Sequence, residues 1–272
     1  MATKTDKTAD TSVLVVATEA GLPAELMGMM EQDAGRGLSD NPNDVGIPYI
    51  AVLADLSPQV KKRDEKYIEG AEVGTLWNTV TKELYPLGIE FIPAFYESCH
   101  VEWVPRDAGG GFRGKHPYDT PLLGQAQPNS TGKGALRLAN GNDLVETRYW
   151  YGFFRPIVAE GERPAVWDVA VISLSSTGLR VSREWVGMTK RVYLPGTEKK
   201  APLFSSVYSI TTKLYNNPSG DWFLPEPKRL RWVTGEEYTN AKILADQIEA
   251  GAIKVSQPES AGDDRNGDET VL

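Results

Sequence analysis

Ile89–Pro117 reads IEFIPAFYESCHVEWVPRDAGGGFRGKHP. From Ile89 to Trp103 the odd positions are Ile, Phe, Pro, Phe, Glu, Cys, Val and Trp, and the even ones Glu, Ile, Ala, Tyr, Ser, His and Glu. That imperfect alternation predicts a strand with one face on a core. The run exceeds the usual strand of about 5–6 residues, so a bend or bulge is expected near Pro93 or near Glu97-Ser98. Strongly bent strands are how small barrels turn corners. Arg106 to Lys115 then reads as a flexible glycine-rich loop carrying three cations and Phe112.

Gly109–Lys115 fits G-x-x-x-x-G-K, the start of a phosphate-binding loop. The motif next needs Ser or Thr and a helix aimed at phosphate. Here His116 and Pro117 follow, and a proline disfavours helix in the residue before it. The segment therefore reads either as a hairpin connector or as a loop touching a polyanion.

Other readings extend outward from this stretch. Ile47–Leu56 predicts a strand, and Val73–Val80 with Leu84-Tyr85 a hairpin. Residues 117–143 are rich in Pro, Gly, Asn and Ser and read as a long loop. Leu144–Arg155, LVETRYWYGFFR, is the aromatic centre. Rings at both parities mean either a strand buried on both faces or one face left as a stacking platform. Val166–Leu174 predicts a central strand, and Ser175–Thr177 a helix cap. Val181, Trp185, Met188 and Val192 share one helical face, with Arg180, Arg183, Lys190 and Arg191 on the other side. Phe204–Tyr215 alternates clearly, Asn216–Gly220 is a turn, and a return strand begins at Trp222. Thr234 and Glu237 have capping-box spacing. That helix should bury Tyr238, Ala241, Ala245 and Ile248. LPAELMGMMEQ, Leu22–Gln32, predicts a short helix.

The net charge of −8 is unevenly spread. Residues 101–232 carry 18 basic and 12 acidic groups, whereas residues 1–60 carry 3 and 9, and residues 233–272 carry 3 and 9. A basic middle between acidic ends fits either an ordinary mixed surface or a polyanion-binding middle. No apolar run is long enough to span a membrane, and a cytoplasmic location is expected. One cysteine and two histidines are too few for an ordinary zinc site, and no metal or cofactor is implied. Cys99 and His100 are strand neighbours on opposite faces, which argues against a thiolate–imidazole pair. Binding rather than catalysis is expected.

The blocks IPYIAVLADLSPQVKK (from Ile47), GAEVGTLWNTVTKELY (from Gly70), IEFIPAFYESCHVEWVPRDAGGGF (from Ile89) and VISLSSTGLRVSREW (from Val171) carry a resemblance. Together they resemble phage DNA-replication and recombination accessory proteins grouped with single-stranded DNA-binding proteins. The resemblance implies a mainly β (α+β) fold: an OB-like antiparallel barrel with long loops and flanking helices. It also implies single-strand binding without sequence preference, and an acidic C-terminus that recruits replication or recombination proteins. Tails in that group end in an aromatic residue, and this one ends in Leu272.

The expected organisation is a flexible segment over residues 1–45 with a short helix, one β-rich domain over 46–253, and a disordered acidic tail over 254–272. Single-strand binding needs cations for phosphates and flat side chains for bases. The candidates are Arg106, Arg113, Lys115, Arg148, Arg155, Lys190 and Arg191, with Tyr96, Phe112, Tyr149 and Tyr151. Trp77 and Trp103 also qualify as aromatics, but parity puts Trp103 on the core face. The tail offers Asp263, Asp264, Asp268, Glu269, Val271 and Leu272 to partners, and the same charges could compete with DNA. Self-association is compatible with the sequence. A phage structural or assembly protein is the alternative reading, since a β-rich fold with long loops and acidic ends also fits it.

Overall fold

The computed structural model describes residues 24–33, 36, 47–105, 108–128, 136–218 and 220–252. Contacts divide the chain into two units, residues 1–41 and 42–272. In the first, α1 (Ala24–Gln32) is the expected short helix. Apart from Asp33 and Arg36, the remainder of the expected N-terminal segment, and the acidic tail, lie outside the described residues.

The second unit is built on one strand pair. β4 (Ile89–Trp103) and β8 (Asp143–Pro156) run antiparallel, from Ile89 opposite Pro156 to Trp103 opposite Asp143. The register slips between Pro93 and Phe95: Pro93 faces Gly152, whereas Phe95 faces Tyr151. This is the expected bulge, at the first of the two expected places, with Ala94 as the extra residue. A Cβ on Gly152 would sit 2.2 Å from the Ile92 carbonyl oxygen, so only glycine lets the two backbones approach here. The extra residue also reverses the parity of β4. Ile89 and Phe91 belong to one core, but beyond the bulge Tyr96 packs against that core, and Cys99, Val101 and Trp103 face the opposite one.

Each long strand is shared by two neighbours on its outer edge. At the Ile89 end the order is β11 (Gly220–Trp232), β10 (Ser206–Asn217), β4, β8 and β9 (Asp168–Ser175). At the Trp103 end β5 (Phe112–Pro117) pairs with β4, and β7 (Leu136–Arg137) followed by β6 (Gln127–Pro128) extends from β8. The result is a curled antiparallel half-barrel in a mainly β protein, with three α-helices among the described residues. A small sheet of β1 (Ile50–Val52), β2 (Leu76–Asn78) and β3 (Leu84–Tyr85) links its two sides. On one side Tyr49 bridges Val171 of β9, and the Val171 amide donates to the Pro48 carbonyl. On the other, the Thr212 hydroxyl of β10 donates to the Gly74 carbonyl at 2.7 Å. β9 is thus a ladder partner of β8 on one edge, with a single bridge on the other.

Both faces of the sheet are covered. In the inner core Trp150 stacks on Trp185 at 3.9 Å and 12°, with Phe91 and Tyr208 edge-on to Trp185. Trp185 comes from α2 (Gly178–Thr189), where Val181 and Trp185 form the buried face expected from their spacing. Thr177 precedes α2 but makes no side-chain cap. Its backbone is already helical, so its hydroxyl is not aimed at the first amides. The opposite face packs against α3 (Gly235–Glu249), through Ala241, Leu244 and Ala245 on Ile92, Ala94 and Val207. Tyr238 lies at the rim of that contact, 38 % exposed and tilted against Phe204, and is not part of the buried face. α3 opens with the expected capping box between Thr234 and Glu237. β11 ends the sheet, and its Pro225 and Pro227 have no N–H to offer an added strand.

Candidate nucleic-acid interface

The structure separates the residues expected to act together. Tyr149 and Tyr151 are core residues, 1 % and 4 % exposed. They share a cluster with Tyr49, Cys99 and Val101, and Tyr49 meets Tyr149 edge-on at 6.4 Å. The aromatic strand is therefore buried on both faces, and neither ring is a stacking platform. The Tyr151 hydroxyl donates to Glu97 Oε2 at 2.8 Å; burial and that carboxylate raise its pKa far above the usual phenol value. Tyr96 is half-buried and tilted against Trp150 at 4.7 Å.

Three candidate cations are held by carboxylates. Lys115 Nζ lies 2.8 Å from Glu97 Oε2 and over the Tyr149 ring. Arg155 donates to Glu90 and covers the Trp167 ring at 4.5 Å. Arg148, 8 % exposed, pairs with Glu146. Cations set against a core need such partners to offset lost hydration, so these three are poor phosphate ligands as they stand. Arg113 is exposed, with no partner among the described residues. Arg106, Asp263, Asp264, Asp268, Glu269, Val271 and Leu272 lie outside the described residues.

The glycine-rich segment is only partly a loop. Residues 112–117 form β5, which runs antiparallel to Cys99–Trp103. No helix follows Lys115, so a phosphate-loop geometry is absent there. Phe112, 38 % exposed, rests edge-on against Trp103 at 5.7 Å. His116 Nε2 meets Glu102 Oε2 at 2.9 Å, and Asn140 and Asn142 donate to the other oxygen of Glu102. These bonds hold Glu102 below the usual carboxylate range and tie β5 to the β7–β8 turn. Cys99 is 1 % exposed, and burial beside Glu97 pushes its thiol up to about 12, so it is not a thiolate at neutral pH.

Exposed cations and rings do converge elsewhere. α2 turns Arg180 and Arg183 outward, each with its side chain 66 % exposed, and ends at exposed Lys190 and Arg191. A small hairpin follows: the Leu194 amide donates to the Lys199 carbonyl, the Ala201 amide to the Val192 carbonyl, and Tyr193 bridges Lys200. It presents Tyr193, Lys199 and Lys200 to solvent. Residues 180–200 hold six cations and two acids, Glu184 and Glu198; Arg180 pairs with Glu184 at 3.0 Å and Arg183 lies 4.0 Å from Glu146. At the start of α2, Arg180 and Lys213 lie over the Tyr215 ring at 5.5 and 5.7 Å, and Tyr215 stacks with Trp222 at 6.4 Å and 19°. At about 1.5 Å per residue the helix makes this strip about 18 Å long. Lys190 and Arg191 were legible candidates. Tyr193, Lys199, Lys200, Lys213, Tyr215 and Trp222 were not, since only the hairpins and the docking of α2 bring them together.

A family model matches residues 17–254, nearly all of the domain just described. The chain belongs to the Pam3 phage gp34-like protein family. It is therefore a phage protein, as the sequence resemblance implied. Searches of the curated proteins and of the solved structures return no match. Among the described residues no helix is long and apolar enough to cross a membrane.

Proposed function

We propose that this phage protein binds single-stranded DNA without sequence preference, in replication or recombination of the phage genome. The supporting observation is the strip along α2 and its two flanking hairpins. It sets solvent-facing cations beside Tyr193 and the Tyr215–Trp222 pair. Phosphates supply charge for Lys190, Arg191, Lys199 and Lys200, and bases supply flat faces for the rings. Recruitment of replication or recombination proteins by the acidic C-terminal residues belongs to the same proposal.

The test is a titration of wild type and of a variant carrying Lys190→Ala, Arg191→Ala, Lys199→Ala and Lys200→Ala. Each is titrated with a single-stranded oligonucleotide and with its duplex across a salt series. Wild type should prefer the single strand, with affinity falling as salt rises. The variant should lose about 0.7 in the log–log salt slope for each phosphate contact removed. Equal affinity for both DNA forms, or an unchanged slope, would remove the proposal. Co-purification of the protein with virions would favour an assembly role instead.

A further inference from the structure

Toward the Trp103 end of the central pair, the inner face of the sheet changes from apolar to polar. The ladder sets Ser98 opposite Arg148 and His100 opposite Glu146. By alternation these side chains share the face of Tyr96 and Trp150. His100 and Arg148 are 6 % and 8 % exposed, and the backbone of Tyr118 and Pro117 reaches the imidazole, yet among the described residues His100 Nδ1 and Arg148 Nη1 have no hydrogen-bond partner. Buried polar atoms are nearly always paired, and leaving one unpaired costs its full desolvation penalty. What covers them is the ring of Tyr118. It lies 4.7 Å from the Arg148 guanidinium carbon and stacks on His100 at 5.4 Å and 21°. Tyr118 is itself 49 % exposed. Arg183 of α2 reaches to 4.0 Å from Glu146, so this floor adjoins the cationic strip.

We propose that His100 and Arg148 form the seat of a nucleobase, which Tyr118 fills in the free protein. The inference rests on the single-strand reading and gives the strip a base subsite. A phenol ring covers the imidazole and guanidinium faces but leaves the two buried polar atoms unpartnered. A nucleobase offers the same flat face, with hydrogen-bonding groups on its edge as well. A bare phosphate fits less well, because Glu146 already neutralises Arg148. Tyr118 follows β5 directly and belongs to neither core.

The test uses Tyr118→Ala, whose half-exposed position leaves the fold intact. Wild type and variant are titrated with an oligodeoxynucleotide containing one 2-aminopurine, and with a matched strand abasic at that position. The variant should quench 2-aminopurine more strongly and bind the base-bearing strand about tenfold tighter, since one stacked base is worth about that much. Its affinity for the abasic strand should match wild type. Equal gains on both strands, or weaker binding by the variant, would overturn the base seat. If neither protein binds any strand, the single-strand reading fails. Deoxyadenosine monophosphate then decides the seat: binding to the variant but not to wild type keeps it, and no binding to either removes it.

Discussion

Glu237→Gln tests how α3 is fastened to the sheet. Glu237 receives both Arg231 terminal nitrogens at 2.8 Å, Trp167 Nε1 at 3.1 Å and the Thr234 amide at 2.8 Å. These donors, led by Arg231, hold the carboxyl down to about 2 from its ordinary 4.5. A carboxylate depressed in the folded state contributes stability above its unfolded value, and that contribution is lost as pH falls from about 4.5 toward 2. At about 1.36 kcal/mol per pH unit the gap sets a ceiling of about 3.4 kcal/mol. The Arg231 side chain is 37 % exposed, and solvent screening reduces the expected contribution to about 1–2 kcal/mol. Urea denaturation at pH 7 should show the variant less stable by that amount. Glutamine keeps the shape and one acceptor but cannot titrate, so the two proteins should converge as pH approaches 2. A stability gap that stays constant from pH 7 to pH 2 would refute the assignment to this carboxylate.

Two further substitutions probe the frame. Gly152→Ala should cost about 3 kcal/mol in urea denaturation, the upper end for overpacking, because the new Cβ would meet the Ile92 carbonyl at 2.2 Å and the Phe91 ring at 2.8 Å; wild-type stability would show that the bulge can relax. Trp185→Ala should cost about 3–5 kcal/mol by removing a fully buried ring stacked on Trp150. The folded fraction should also bind single strands more weakly as α2 loses its anchor, and normal stability would contradict the inner core described above.

Local rules were enough for elements whose signals lie within a few residues of each other. The β10–β11 hairpin follows from alternation on both sides of Asn216–Gly220, and α3 from Thr234 and Glu237. The buried stripe of α2 follows from Val181 and Trp185, and the bulge from a proline inside a run too long for one strand. The site was less legible, because its decisive facts join residues far apart in the chain. Whether Tyr149 and Tyr151 face DNA or a core depends on Tyr49 and its neighbours covering the second face of β8, and alternation cannot report a cover. Whether Lys115 and Arg155 are available to phosphate depends on the carboxylates of Glu97 and Glu90, which strand register brings beside them; Arg148 meets Glu146 two residues away on its own strand. A single extra residue, Ala94 next to Pro93, reverses which side chains of β4 share a face. Composition thus determined that the middle of this chain is basic and aromatic. Only the tertiary structure decided which of those charges are already neutralised and which rings still face water, because pairing and burial are properties of neighbours in space.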